Sequence, residues 1–156
     1  MGRIYTGIFN AVGVTVQQDF FELNAPATAT VLIHEIGLSQ STEVGDAQEE
    51  GLNLILKSGQ TTSGTGGTGP TGIPREFGDA AFGGTVEVNN TTKATAGTIV
   101  SHYAWNWNIR VPFQMIWTPE TRPVLSPSRR ATLELGTTPI DSITISGYIV
   151  FESVGG

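Results

Sequence analysis

Hydrophobic and polar residues alternate with a period of two along most of this chain, which is the spacing of a β-strand with one buried face. The clearest example is residues 52–57, where Leu52, Leu54 and Leu56 fall on one side of the predicted strand. The same pattern recurs between clusters of Gly, Asn and Pro. It predicts strands at residues 3–9, 13–23, 29–39, 52–57, 84–89, 97–111, 130–135 and 142–152.

The alternation also predicts which side chains point inward. We expect the core to be built from Leu52, Leu54, Leu56, Leu133, Leu135, Ile143, Ile145, Ile149 and Phe151. Within residues 29–39, strict alternation places Leu32, His34, Ile36 and Leu38 on one face and Val31, Ile33 and Glu35 on the other. The last two strands are predicted to form a hairpin across residues 136–141, and the short segment 113–117, which follows Pro112, is predicted as an edge strand or loop.

No segment has a convincing helical pattern, because Gly45 interrupts residues 43–50 and Gly78 interrupts residues 74–82. About eight short strands with turn signals between them favour an all-β fold. We therefore expect one domain over residues 1–156, a jelly roll or another β-sandwich, with a flexible Gly/Thr-rich loop at residues 58–74.

The composition excludes several classes of function. The chain has no Cys, so disulfides, thiolate zinc sites and thiol nucleophiles are excluded. Its formal net charge of −6 argues against binding to nucleic acid, whose phosphates would be repelled. No apolar run approaches the roughly 20 residues of a membrane span, and the first residues do not resemble a secretory signal. We expect no nucleic-acid or membrane partner.

The candidate catalytic and metal-binding residues are few. His34 and His102 are the only histidines, neither lies in a catalytic motif, and His34 is predicted as a core or interface side chain. Four acidic residues, Glu43, Asp46, Glu49 and Glu50, could form a weak divalent-ion site, although their spacing does not match a calcium loop and a solvated acidic loop is favoured. We expect no enzyme activity and no cofactor.

The most distinctive stretch is residues 102–110, in which Tyr103, Trp105 and Trp107 share one face of a predicted strand. Two interpretations are open. The aromatic face belongs to the core, or it is an exposed platform for a partner protein or for sugar stacking. The candidate interface residues are Tyr103, Trp105, Trp107, Trp117, Arg122, Arg129 and Arg130.

As a whole, the chain resembles the capsid decoration, or cement, proteins of tailed bacteriophages, which have a jelly-roll fold. The resemblance is carried by segments along the full length: residues 3–9, 19–26, 36–41, 45–47, 78–85, 89–92 and 146–152. They are structural patterns without a catalytic signature. The resemblance implies a non-enzymatic virion protein that binds the major capsid protein on the outer lattice, commonly as a homotrimer. Such a protein is made in the cytoplasm of the bacterial host and ends on the capsid surface.

Two other functions are kept beside this expectation. The first alternative is a carbohydrate- or receptor-binding module of a phage tail or fibre, which would use Tyr103, Trp105 and Trp107. A hydrolase, either an esterase or a glycosidase, is the third and least favoured.

Overall fold

The computed structural model of the chain describes residues 2–43 and 50–155. Within those ranges the chain forms β-strands and loops and no helix. The strands are β1 (Arg3–Val14), β2 (Asp19–Asn24), β3 (Thr30–Gln40), β4 (Gly51–Thr62), β5 (Ile73–Pro74), β6 (Thr85–Asn90), β7 (Thr95–Asn108), β8 (Phe113–Ile116), β9 (Val124–Leu125), β10 (Arg130–Leu135) and β11 (Ile143–Val154).

These strands form two antiparallel sheets packed face to face. Sheet A has the order β5-β1-β11-β3-β8, with β9 also paired to β3, and sheet B has the order β6-β2-β10-β4-β7. Eight of the strands pair from the outside of the sequence inward: β1 with β11, β2 with β10, β3 with β8 and β4 with β7. Nested pairing of this kind, divided between two sheets, is the winding of a jelly roll. The expectation of an all-β sandwich is confirmed.

One hydrophobic core fills the space between the sheets. All nine residues predicted for it from the alternation are buried, and the additions include Phe20, Phe21 and Phe9. The Phe9 ring lies 5.2 Å from Phe21 and 6.0 Å from Phe20, centroid to centroid, at the distances of favourable aromatic pairs. Period-two patterning therefore identified the inner faces of β4, β10 and β11 correctly.

The first two strands differ from the prediction at their junction. The prediction of separate strands at residues 3–9 and 13–23 was wrong, because β1 continues through Asn10 to Val14 and β2 begins only at Asp19. A bulge between Phe9 and Val12 takes up extra residues, with Ala11 at a φ of 52° and its N–H donating to Ser146 Oγ at 2.9 Å. Asn10 therefore marks a bulge within one strand and not a turn between two.

The face assignment in β3 was also wrong in part. Ile33 pairs with Phe151 while Glu35 pairs with Val150, so His34 is the extra residue of a bulge. The bulge shifts the alternation by one position, which buries Ile33 before it and Ile36 after it. His34 is turned out of the core and is only half-buried.

The predicted hairpin between the last two strands is not formed. β10 lies in sheet B between β2 and β4, whereas β11 lies in sheet A between β1 and β3, so residues 136–142 cross from one sheet to the other. A sequence pattern identifies strands but not which sheet each strand joins. The short strand β8 lies at the edge of sheet A, as the prediction of an edge strand allowed.

The Gly/Thr-rich loop begins later than expected. Residues 58–62 belong to β4, and Ile73–Pro74 form β5 against β1. Between them, residues 63–72, called the covering segment below, pair with the outer edge of β6. Thr68 and Val88 exchange N–H···O bonds of 3.0 and 2.8 Å, and Thr65 and Thr92 exchange bonds of 2.9 and 3.0 Å.

Candidate functional site

The aromatic residues singled out in the sequence meet where the two sheets open beside β7 and β8. Tyr103, Trp105 and Trp107 alternate along the inner face of β7, and Trp117 follows β8 on the opposing sheet. The Tyr103 ring is stacked on Trp105 with centroids 5.5 Å apart and lies 5.7 Å from Trp117. Trp105 also contacts the Phe113 ring at 5.4 Å. These side chains close one side of the sandwich.

This aromatic group does not form a flat exposed platform. Trp107 is 3% exposed and donates its indole N–H to the carbonyl of Val111 at 2.6 Å, and Trp117 is 7% exposed. Tyr103 and Trp105 are half-buried at the mouth of the opening. The Trp117 Nε1 is buried without a hydrogen-bond acceptor in the described part of the chain. The sequence left open whether the aromatic face belongs to the core or is an exposed platform. Trp107 and Trp117 belong to the core.

Beyond Tyr103, the opening deepens into a cleft of about 220 Å³, with Leu56, Leu125 and Ala131 at its apolar base. Its polar side chains are Ser58, His102, Thr121 and Arg122, with Tyr103 in the wall. Ser58 Oγ and His102 Nε2 lie 2.7 Å apart in a hydrogen bond between β4 and β7. No Asp or Glu lines the cleft among the described residues. The wall therefore combines hydroxyl, imidazole and guanidinium groups with an aromatic side chain and holds no carboxylate.

His102 reaches the cleft because β7 is irregular at that point. Leu56 pairs with Tyr103 and Lys57 pairs with Ser101, so His102 is an extra residue of β7, as His34 is of β3. Both histidines of the chain therefore lie at bulges, one in each sheet. Bulges re-aim side chains and are common next to functional sites.

Arg122 lines the cleft together with His102 and also contacts the other histidine. Its Nη1 donates to His34 Nδ1 at 3.3 Å and lies 3.8 Å from Glu152 Oε2. His34 Nε2 lies 3.0 Å from the same Glu152 oxygen. This arrangement requires the neutral His34 tautomer with its proton on Nε2. The Arg122 Nε is buried, with no hydrogen-bond acceptor among the described residues.

Arg129 and Arg130 are not part of this opening. Arg129 is exposed on the turn before β10, where its N–H donates to the Ser126 carbonyl at 3.0 Å. Arg130 lies on the outer face of sheet B, with Nε 2.6 Å from Glu22 Oε1. The predicted interface set is therefore divided, because only Arg122 joins the aromatic residues.

The outer face of sheet B carries a buried polar network beneath the covering segment. Glu22 accepts hydrogen bonds from Ser63 Oγ at 2.6 Å and from the Gly64 N–H at 2.9 Å. Asp19 accepts the Ala94 N–H at 2.7 Å through Oδ2, while its Oδ1 has no partner in the described part of the chain. Burial raises the pKa of the Asp19 carboxyl to about 7, against the lowering effect of that hydrogen bond.

The outer face of sheet A holds a shallower groove of about 680 Å³. Tyr148 lies across Gly37, where a Cβ would come 2.2 Å from the tyrosine ring. The Tyr148 hydroxyl donates to Glu35, and this hydrogen bond raises the pKa of the phenol. Gln114 donates to the same carboxylate at 2.7 Å. An aromatic ring that covers a glycine on a neighbouring strand is a known way to stabilise a sheet.

The longest edge strand among the described residues is β7, at one end of sheet B. It pairs with β4 on one side, and no described strand pairs with its other side. Its 14 residues include no charged side chain and no proline, and Ile99 and Val100 on it are exposed. Long, uncharged edge strands are sites of pairing with other chains, and most proteins protect them.

The acidic residues at 43–50 can be placed only in part, because Asp46 and Glu49 lie outside the described residues. Glu43 and Glu50 are both largely buried, and Glu50 Oε1 accepts the Ile140 N–H at 2.7 Å. Among residues 2–43 and 50–155, no three His, Asp or Glu side chains are grouped so as to hold a metal ion. The favoured interpretation of a solvated acidic loop is wrong for Glu43 and Glu50, which are buried, and the less favoured divalent-ion site stays untested.

The described chain includes no helix with the length and apolar character to span a membrane. Comparisons of the chain with protein-family models, with curated proteins and with solved structures found no match. The function is therefore inferred from the geometry above and from the sequence resemblance.

Proposed function

We propose that this protein is a non-enzymatic structural component of a virus particle, a capsid decoration protein that binds the outer lattice and stabilises it. The sequence resemblance to phage decoration proteins supports this assignment, and the jelly-roll sandwich is the fold which that resemblance implies. The observation that carries the proposal is the free, uncharged edge of β7. A protein that works by assembly needs such a surface.

The charge distribution favours assembly through β7. Each copy has a formal net charge of −6, so copies that meet through acidic surfaces repel one another. β7 contains no Asp or Glu, so a contact through this strand places none of its own carboxylates at the interface. Backbone N–H and C=O groups along the strand supply hydrogen bonds that do not depend on salt.

We propose that the assembled form is a homotrimer bound to the major capsid protein on the virion surface, after synthesis in the cytoplasm of the bacterial host. A heterologous contact, in which β7 of one copy meets a different surface of the next, closes into a ring when the rotation is one third of a turn. Three linked copies bind a lattice more tightly than one, because the second and third contacts form at high effective concentration.

The second candidate is a carbohydrate- or receptor-binding module of a tail or fibre. The observation that favours it is the polar cleft at Ser58, His102 and Arg122, which no carboxylate lines among the described residues and which has Tyr103 in its wall. The flat platform of Tyr103, Trp105 and Trp107 is not the support for this function, because Trp107 is buried.

The test of the decoration function compares one edge variant with one control. Val100→Lys places a charge on the free edge of β7, where Val100 is 49% exposed, and Ile140→Lys places the same charge at a more exposed position outside the strands. We expect sedimentation velocity to show a trimer for the unmodified protein and for Ile140→Lys, tighter in high salt than in low salt, and a monomer for Val100→Lys. Mass spectrometry of purified virions should detect the protein at many copies per capsid. A monomer in both salts, together with absence from virions, would refute the proposal.

A further inference from the structure

We infer that the cleft around Arg122 is a binding site for a carboxylated sugar ring, such as a uronic acid unit. The cleft is lined in part by the β7 side chains of His102 and Tyr103, and the inference does not depend on the assembly proposed above. Each histidine of the chain is the extra residue of a bulge, His34 in β3 and His102 in β7. His34 contacts Arg122 directly, and His102 lines the cleft together with Arg122. Bulges re-aim side chains and are common next to functional sites.

The size of the cleft limits the ligand. Its volume of about 220 Å³ lies below the roughly 300–1,000 Å³ of pockets that enclose drug-sized molecules. A single six-membered ring with its substituents is therefore the appropriate unit, and an oligosaccharide would extend outward past the mouth. The apolar base formed by Leu56, Leu125 and Ala131 suits the C–H groups of such a ring.

The Tyr103 ring supplies the stacking surface. Trp105 stacks on it nearly in parallel, with an interplanar angle of 4°, and the Trp117 ring lies 5.7 Å away at a tilt of 57°. The Tyr103 side chain also lines the cleft. Its hydroxyl is held by a 3.0 Å hydrogen bond to the Thr121 carbonyl, so the ring orientation is fixed. An aromatic ring held in place in this way loses little conformational entropy when a ligand packs against it.

The polar groups of the cleft select a carboxylate. Arg122 is held from behind by Glu152 and His34, and its buried Nε–H has no acceptor in the described residues. Ser58 and His102 line the same space as a hydrogen-bonded pair. Planar guanidinium groups bind carboxylates through charge-assisted hydrogen bonds. Glu152 offsets part of the Arg122 charge, which is why the ligand needs its ring contacts and hydroxyls as well as its carboxylate.

The experiment titrates the full-length protein with sodium glucuronate and follows tryptophan emission and heat. Trp105 reports on the site because it stacks on Tyr103. We expect saturable binding, weaker by at least about tenfold for glucose, which lacks the carboxylate. We expect no saturation over the same range with acetate or phosphate, which lack the ring. Equal binding of phosphate would overturn the inference in favour of a simple anion site, and equal binding of glucose would overturn the selection of a carboxylate.

Variants separate the site from the rest of the fold. Arg122→Lys keeps the charge and removes the planar guanidinium, and we expect it to weaken glucuronate binding by at least about fivefold. Tyr103→Leu removes the stacking ring, whereas Tyr103→Phe keeps it, so only the first should lose most of the binding. Tyr148→Phe, in the groove on sheet A, is the matched control and should bind as the unmodified protein does. If glucuronate fails to saturate the unmodified protein, or if Arg122→Lys and Tyr103→Leu both bind normally while folded, the inference is wrong.

Discussion

The two edges of sheet B are protected in opposite ways. β6 has six residues, carries Glu87, and is paired along its outer side by the covering segment. β7 has 14 residues, no charge and no described partner on its outer side. Both strands belong to the same sheet and rest on the same core. The difference shows that the chain uses one Gly-rich segment to close one edge and leaves the other accessible.

The glycines of the covering segment explain why it can lie so close to β6. A Cβ on Gly67 would come 2.1 Å from the Val88 carbonyl oxygen, and one on Gly64 would come 2.6 Å from the Thr92 carbonyl oxygen. Gly66 adopts a φ of 88°, which few other residues tolerate. What composition alone indicates as a flexible linker is, at these positions, a close backbone contact.

The largest expected effect is the loss of stability when a core residue beside either edge strand is shortened. It tests whether β6 and β7 unfold together with the common core. Leu54 lies on β4 beside β7, Leu23 lies on β2 beside β6, and both are fully buried. Replacing either by Ala should lower the free energy of unfolding by about 2–5 kcal/mol. Denaturant melts would measure it. Two transitions, or a loss below about 1 kcal/mol for either variant, would show that the edges are not parts of one cooperative unit.

The next effect concerns Asp19, which accepts the N–H of Ala94 in the connection from the closed edge to the open edge. The pKa of its carboxyl is about 7 in the folded protein, against an ordinary value of 3.8 for an exposed aspartate. A raised pKa means that the folded state binds the proton more tightly than the unfolded chain does. The stabilisation is therefore complete below about pH 4 and is lost as the pH rises through 7.

Asp19→Asn removes this dependence. At pH 8 the variant should be more stable than the unmodified protein, by at most about 4 kcal/mol, since each pKa unit corresponds to about 1.4 kcal/mol. The advantage should shrink as the pH falls toward 4. Melts at several pH values would measure it, with Asp141→Asn on an exposed turn as the control. An Asn variant that is less stable at every pH would contradict the assignment.

A smaller effect is expected when the protected edge is opened. Gly67→Ala should displace the covering segment and cost about 1–3 kcal/mol, because the clash is with backbone. Gly51→Ala is the control, since a Cβ there meets nothing within 4 Å. We also expect the Gly67 variant to self-associate through β6, which light scattering would detect. A Gly67 variant that is as stable and as dispersed as Gly51→Ala would mean that the segment does not protect the edge.

The smallest effect is on the open edge itself. Val100 is half exposed, so Val100→Lys should change the free energy of unfolding by no more than about 0.5 kcal/mol while it alters association. A large loss of stability measured in a denaturant melt would show that β7 contributes to the fold of a single copy and not only to contacts between copies.

The all-β fold and the inner faces of β4, β10 and β11 could be predicted from the sequence. The buried face of a strand is recognisable from the alternation of its own residues, without knowledge of its partner strand. The bulges at Asn10, His34 and His102 could not be predicted. A bulge is defined by two residues opposite one on the partner strand, and the partner is known only from the fold. The cleft was missed for this reason, since Ser58 and His102 meet through the irregular register of β4 and β7.

The position of β11 between β1 and β3 has a consequence for how the chain reaches its fold. Synthesis supplies β1 early, yet β1 finds its main partner only when residues 143–154 are available. Until then β1 and β3 both lack the neighbour that lies between them. Folding dominated by such distant pairings is slow, and the waiting strands can pair with other chains. We therefore expect sheet A to form late. We also expect the yield of folded protein to fall as the concentration of incompletely folded chains rises.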